Sequence, residues 1–385
     1  MLRSVPRRAG RPLTLSAPGR LLGLLLLLLT PLLLAFGPPG ITESDSALAP
    51  LYPSDLQRMQ RVQPPPPLTA EAALIMDAAT GKVVFERQGH QRRAMASLTK
   101  ITTALVAMEK GKLTDKVTVP RIPLPEEASM GLLWGDVLTL EDLLWGLLLP
   151  SGNDAATVIA HHVGGGSIEN FVKLMNQKAA ELGLKDTHFV NPHGLDEDGH
   201  YSTAYDLAVT ARKAMENPVF AKMVGTRSWT IRASRTFYLM NSNFLLRPQN
   251  ESIGADGIKT GFTDDAGDSI VASATRDGRR VIVVALDTAD RTAEAIKLFN
   301  YAFASFQWVE LTLPPYMVVS DGNGKARPIA LKERRFEYMA NWENRRFVSI
   351  LKLDGGAELQ PGNPAGLVSF WNPQRTLADI PVVVR

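Results

Sequence analysis

The 385-residue chain contains no cysteine. This excludes a thiol nucleophile, thiolate-bound zinc and disulfide bonds, and it is compatible with export. Histidine is scarce, with six in the chain. Three of them, His188, His193 and His200, cluster in sequence with Asp196 and Asp198. Their spacing fits no standard zinc motif, so neither a metal nor a cofactor is expected. Apart from its N-terminus the chain also lacks an excess of positive charge. The formal charge is +3, but Arg3, Arg7, Arg8, Arg11 and Arg20 fall in the first forty residues with no acid among them; taking five from +3 leaves −2. The remainder is not basic, and no nucleic-acid partner is expected. No fixed-period repeat is present.

The chain has one long apolar run, from Leu21 to Phe36, directly after those arginines. A basic region followed by an apolar one is the pattern of a secretory signal. The run is shorter than the roughly 20 residues of a spanning helix. No clean small-x-small cleavage site stands out, because Ala35-Phe-Gly37 and Ala47-Leu-Ala49 both run into proline. Residues 1–37 are therefore read as a signal peptide or a retained N-terminal anchor. Either way the rest is exported, to the periplasm or to the outer face of the cytoplasmic membrane, with the membrane itself as a contact in the second case. Residues 38–66 are rich in Pro and Ser and end in Val62-Gln-Pro-Pro-Pro-Pro-Leu68. Four successive prolines favour an extended, semi-rigid spacer, so this stretch is read as a linker.

Regular structure is expected to begin with a hairpin, 72–77 and 82–86, and to continue into a helix that starts near Ser97. Helices are expected over 139–149, 155–162, 168–182 and from 203 to before Pro218. Ser167 serves as one cap, and Thr203 with Asp206 resembles a capping box. Strands follow at 228–232, 236–240, 257–263, 269–276 and 280–286, the last two joined through Asp277-Gly278, a strong hairpin signal. A helix at 291–306 closes the region. Strands at both ends with helices between them imply an α/β sandwich whose largely antiparallel sheet is built from sequence-distant pieces. After Gln307, short alternating runs separated by Gly, Pro and Asn predict a small all-β domain over 307–385.

Three short motifs stand out. Ser97-x-x-Lys100 puts a hydroxyl and an amine on one helix face, although about one such pair arises by chance in a chain this long. A serine needs a base to take its proton. Lysine can be that base only when burial or a nearby cation lowers its pKa. Lys259-Thr260-Gly261 supplies a second lysine, in a strand where glycine costs stability unless a backbone or a ligand approaches closely; a peptide lying along the strand would be such a ligand. Ser151-Gly-Asn153 lies in a turn-rich stretch between two helices. Taken alone, these segments read as a helix cap, a strand end and a turn.

In this order the three resemble the motif set of penicillin-binding proteins and class A β-lactamases. The chain is similar to the low-molecular-mass penicillin-binding proteins, the serine D-alanyl-D-alanine carboxypeptidases of peptidase family S11 type. The likeness spans about 70–385 and extends to Phe189-Val-Asn-Pro-His-Gly-Leu195, His200-Tyr-Ser-Thr-Ala-Tyr-Asp206, Ala266-Gly267 and Ile270-Val-Ala-Ser-Ala274.

The resemblance implies a β-lactamase/transpeptidase-like domain, with an antiparallel sheet flanked by helices and a helical subdomain, over 67–306. It implies that Ser97 is the nucleophile, Lys100 its base and Ser151 a proton relay. Asn153, Lys259, Thr260, Gly261 and Phe262 would bind substrate, with the oxyanion on the backbone N–H groups of Ser97 and Phe262. The partners it implies are a peptidoglycan stem peptide ending in D-Ala-D-Ala and, as covalent inhibitors, β-lactams.

Three departures are visible. Many relatives have His where Phe262 stands, and many have Arg within the Asn-x-Asn segment, where this chain has Ser242. Many also end in an amphipathic helix, whereas Ile380-Pro-Val-Val-Val-Arg385 reads as a strand. A D,D-endopeptidase would use the same residues. A class A β-lactamase would add a Glu-x-x-x-Asn base near Thr187, where no such glutamate occurs. A peptidoglycan-binding module would have lost the nucleophile or its base, and all three motifs are intact.

Overall fold

The computed structural model describes residues 61, 63–320, 324–341, 343, 348–353, 360–373 and 375–385. Residues 1–37 and most of the 38–66 stretch lie outside the described residues. Strands β1 (Ala72–Asp77) and β2 (Val83–Arg87) form the expected hairpin. A 3₁₀ turn, Ala96–Thr99, runs straight into α1 (Lys100–Lys110). The short pair β3 (Lys116–Thr118) and β4 (Val137–Thr139) precedes five helices: α2 (Leu140–Leu148), α3 (Asn153–Val163), α4 (Ile168–Glu181), α5 (Ala204–Met215) and α6 (Pro218–Val224). Local chemistry sets their starts. Thr139 and Asp142 make a reciprocal capping box for α2, and Ser167 caps α4. Asn217 caps α6 with Pro218 in its first turn.

The hairpin β5 (Ser228–Arg232) and β6 (Thr236–Met240) forms a sheet of its own. Then come β7 (Ala255–Gly261), β8 (Asp268–Arg276), β9 (Arg279–Thr288) and α7 (Arg291–Ser305). The turn between β8 and β9 has positive φ at both Asp277 and Gly278, as a tight hairpin requires. The central sheet runs β2-β1-β9-β8-β7, every neighbour antiparallel. Its period-2 alternation feeds two cores. Leu74, Met76, Val271, Ile282 and Val284 face the helical layer of α1 to α6, while Ile75, Ile270, Ala272 and Val283 pack with Leu298 and Phe299 of α7. Strand β7 ends the sheet, so one of its edges has no strand beside it among the described residues.

The C-terminal part is all β. Strand β10 (Phe306–Leu311) pairs with β13 (Arg335–Ala340). A five-stranded sheet is ordered β11 (Val318–Ser320), β12 (Ala326–Leu331), β16 (Arg375–Val384), β15 (Pro364–Asn372) and β14 (Val348–Leu353). It has its own core around Val319, Ile329, Val368, Phe370 and Val382. The junction is extensive, because Phe306, Tyr338 and Ala340 belong to the α7 core. Trp308 donates its indole N–H to Asp77 at 2.9 Å. Lys82 meets Glu337, and Arg375 binds Glu337 at 2.9 Å and Glu343 at 3.0 Å, all four side chains buried.

The last residues of the proline-rich stretch are seated on this body. Pro65, Pro66, Pro67 and Leu68 lie against Phe85 and Arg87. Tyr301 donates to the Gln63 carbonyl at 2.7 Å, Lys297 to that of Pro67 at 3.3 Å and Arg87 to that of Leu68 at 3.0 Å. Among the described residues no helix is long and apolar enough to cross a membrane.

Candidate active site

Ser97 lies in the 3₁₀ turn and Lys100 opens α1, one turn further on. That offset brings Lys100 Nζ to 2.7 Å from Ser97 Oγ. The amine also donates to Asn153 Oδ1 and to the His193 carbonyl, each at 2.6 Å. Three acceptors thus meet the three N–H bonds of an ammonium, and the serine oxygen is one of them. Lys100 is completely buried. Burial foremost, then the charge of Lys259, hold its pKa well below the usual lysine value, against the pull of Asp154. A lysine so placed can give up its proton and accept one from the hydroxyl beside it.

Ser151 and Asn153 come from the junction of α2 and α3. Asn153 is the first residue of α3, two residues earlier than the sequence suggested, because Gly152 takes the cap position. Its amide is oriented at both ends: Oδ1 accepts from Lys100 while Nδ2 donates to the Glu127 carbonyl at 2.7 Å. The next residue, Asp154, gathers the Ser129 hydroxyl and the N–H groups of Met130, Gly131 and Leu132 at 2.6–3.0 Å. It thereby fixes the loop that holds Asn153. Ser151 has φ +69°, and its buried hydroxyl has no protein hydrogen-bond partner among the described residues.

Lys259, Thr260 and Gly261 end strand β7 beside the Ser97 turn. A Cβ on Gly261 would stand 3.1 Å from Ala96 Cβ and 3.2 Å from Ser97 N and the Met95 carbonyl. The close approach that the glycine permits is therefore to the protein's own Ser97 turn. Lys259 is buried and donates to the Thr260 carbonyl at 2.8 Å. Burial, then Arg291, lower its pKa to about 7. Ser242 meets the Thr260 hydroxyl at 2.9 Å, so the middle residue of the Asn-x-Asn segment does reach the site, as a hydroxyl and not a cation. Phe262, which follows the strand, is 63% exposed.

Sequence reasoning missed Arg291. From the first turn of α7 it donates to the Gly261 carbonyl at 3.1 Å and pairs with Asp268 at 2.7 Å. The signal available was a cation at a helix N-terminus, against the helix dipole. Asp154 was also missed, although its place after Asn153 in the first turn of a helix is an ordinary one. The histidines weighed for a metal go separate ways: His188 Nδ1 meets the Gly199 carbonyl, His193 faces Lys100 through its own carbonyl, and His200 contacts Thr99.

Three sequence-distant motifs thus meet around the Ser97 turn and Lys100. The model of the D-alanyl-D-alanine carboxypeptidase family, Peptidase S11, matches residues 58–290. The chain belongs to that family. The carboxypeptidase is 33% identical over 345 residues to D-alanyl-D-alanine carboxypeptidase DacF of Bacillus subtilis, covering 82% of this chain and 85% of the relative. Among solved structures it resembles penicillin binding protein 5 from Haemophilus influenzae, with a TM-score of 0.70, 28% identity, and coverage of 83% of this chain and 97% of the other. It also resembles the Streptomyces K15 DD-transpeptidase, with a TM-score of 0.57, 32% identity and coverage of 62% and 99%. The fold is thus the α/β D,D-peptidase fold with a C-terminal all-β domain, and the carboxypeptidase is of the serine type.

Proposed function

We propose that this carboxypeptidase removes the terminal D-Ala from peptidoglycan stem peptides through an acyl-serine intermediate on Ser97. Lys100, whose charged form burial disfavours, takes the Ser97 proton in its neutral form as Oγ attacks the carbonyl of the penultimate D-Ala. The backbone N–H groups of Ser97 and Phe262 hold the oxyanion. As the C–N bond breaks, the proton taken by Lys100 is relayed through Ser151 to the leaving D-Ala amine, with Lys259 close by. Lys259 and Thr260 receive the terminal carboxylate, and Asn153 holds a substrate amide. Water then attacks the ester, releasing the shortened peptide and returning Ser97. A β-lactam presents its strained amide to the same oxygen and acylates it. The domains would act as an exported unit, 67–306 carrying the chemistry and 307–385 the trailing β domain, in the periplasm or at the outer face of the cytoplasmic membrane, where the wall is built and shaped.

The observation that carries this reading is the 2.7 Å contact between Ser97 and a wholly buried lysine whose pKa is driven down. The test is the intact mass of the purified protein after brief incubation with benzylpenicillin, with Ser97→Ala alongside. A one-to-one adduct that disappears in Ser97→Ala is expected. Rapid drug turnover without an adduct would turn the reading toward a β-lactamase. Release of D-Ala from a linear pentapeptide, compared with cleavage of a cross-linked dimer, separates carboxypeptidase from endopeptidase.

A further inference from the structure

His200 lies outside the three motifs, yet it reaches the backbone directly before Ser97. Its ring is buried and meets the Phe189 ring edge to face, the two centroids 5.9 Å apart. Nδ1 accepts the Val190 N–H at 3.1 Å, and Nε2 faces Thr99 Oγ1 at 2.7 Å. With Nδ1 serving as acceptor, the proton of a neutral ring sits on Nε2 and is donated to Thr99. Thr99 spends its own hydrogen on the Ala96 carbonyl, at 2.8 Å. The chain of bonds therefore has one direction, from Val190 through His200 and Thr99 to Ala96. Burial foremost, then His188, with Asp196 opposing and Lys100 adding, lower the His200 pKa to about 4, which keeps the ring neutral in the physiological range.

The far end of that chain is an unusual piece of backbone. Ala96 has φ +47°, a left-handed conformation that a residue with a Cβ rarely adopts unless its surroundings enforce it. The surroundings are the segment that carries His200. Gly194, itself at φ +92°, lies so close that a Cβ on it would overlap the Ala96 carbonyl. Asn191 fixes Gly194 by accepting its N–H at 2.7 Å. The same segment accepts a hydrogen bond from Lys100 through His193. One loop therefore grips both the base and the residue before the hydroxyl.

We infer that His200 is a positioning residue for acylation: through Thr99 it holds the Ala96 carbonyl, and with it the direction of Ser97 Oγ and of the Ser97 N–H. The inference rests on the reading of Ser97 as nucleophile. A misdirected oxygen would still meet a β-lactam in the site but would react with it slowly, so the lock acts on the acylation step and not on prior binding.

The experiment is stopped-flow acylation by a chromogenic β-lactam, resolving the pre-acylation binding constant from the acylation rate constant. The variants are His200→Leu, His200→Gln, Thr99→Val and the double variant His200→Leu/Thr99→Val, each with its Tm. His200→Leu is expected to acylate about tenfold or more slowly at unchanged binding. His200→Gln offers an acceptor to Val190 and a donor to Thr99, and should restore the rate constant to within about threefold of the parent. The double variant should be no slower than Thr99→Val alone, because both changes cut one chain. Acylation by His200→Leu at the parent rate, slowing that Gln fails to rescue, or additive losses in the double variant would each overturn the inference. If His200→Leu does not fold, Thr99→Val and His200→Gln decide between the same outcomes. An adduct surviving in Ser97→Ala would instead remove the nucleophile assignment on which the lock depends.

Discussion

Two lysines with lowered pKa values sit within one site, and the proposed reaction needs them in opposite charge states. Lys100 is useful as a base when neutral, and its neutral fraction grows as pH rises. Lys259 is useful to a substrate carboxylate when charged, and with a pKa of about 7 it loses that charge as pH rises through neutrality. The sign for Lys259 is therefore a loss on the alkaline side. The value of kcat/KM toward a D-Ala-D-Ala peptide should decline above about pH 7, since this ratio reports the free enzyme. Lys259→Arg keeps a cation at every working pH. It should lower the maximum and shift the alkaline limb upward, as a pH–rate profile of both proteins would read. An alkaline limb that stays in place in Lys259→Arg would assign it to another group. The same crowding explains Arg291: it lowers Lys259 while anchoring the Gly261 carbonyl, so it shapes both the charge and the course of the strand.

Elements meet at Gly261, where β7 passes the Ser97 turn so closely that a methyl group would stand 3.1–3.2 Å from its atoms and they would have to give. Gly261→Ala is expected to push that turn aside and slow benzylpenicillin acylation by roughly 10–100-fold, since small misplacements at a reacting centre are costly. A second-order acylation rate measured by intact mass checks this; a rate within about twofold of the parent would show that the turn yields freely. Much of this element structure was legible in the sequence. Strands 228–232 and 236–240 occur at those residues, and Asp277-Gly278 makes its turn. Periodicity identifies a strand but not its partner, so nothing in residues 228–240 told that this hairpin would stand apart from the central sheet. Pro218 read as the end of a helix, yet it also begins the next one, because Asn217 caps it and proline is at home in a first turn. In the site, the three motifs were visible because each groups its residues within four positions. Arg291, Asp154 and the link from His200 to Ala96 were not, because each acts across a fold contact that leaves no local pattern.

At the scale of the whole molecule, the C-terminal β domain is bound to the sheet by charges as well as by apolar packing. Glu337 lies between Lys82 and Arg375, with side chains only 2–7% exposed. Glu337→Gln would take the carboxylate from buried Arg375 and from the Lys82 amine, whose pKa burial and Arg375 hold well below the usual lysine value, and breaking such a buried pair costs about 3–5 kcal/mol. Thermal unfolding should show a clearly lowered Tm, with the β-lactam adduct at 25 °C retained; an unchanged Tm would mean that Glu343 alone suffices for Arg375. A different consequence follows from the seating of residues 63–68 on β2 and α7. A pull on the chain from its N-terminal side arrives first at Gln63, held by Tyr301, and then at Pro67 and Leu68, held by Lys297 and Arg87. These bonds must shear before any load reaches β1, whose pairing with β9 joins the two ends of the central sheet. The seated prolines thus work as a strain relief, like the grip where a cable enters its housing, and keep traction from the N-terminal side away from Ser97.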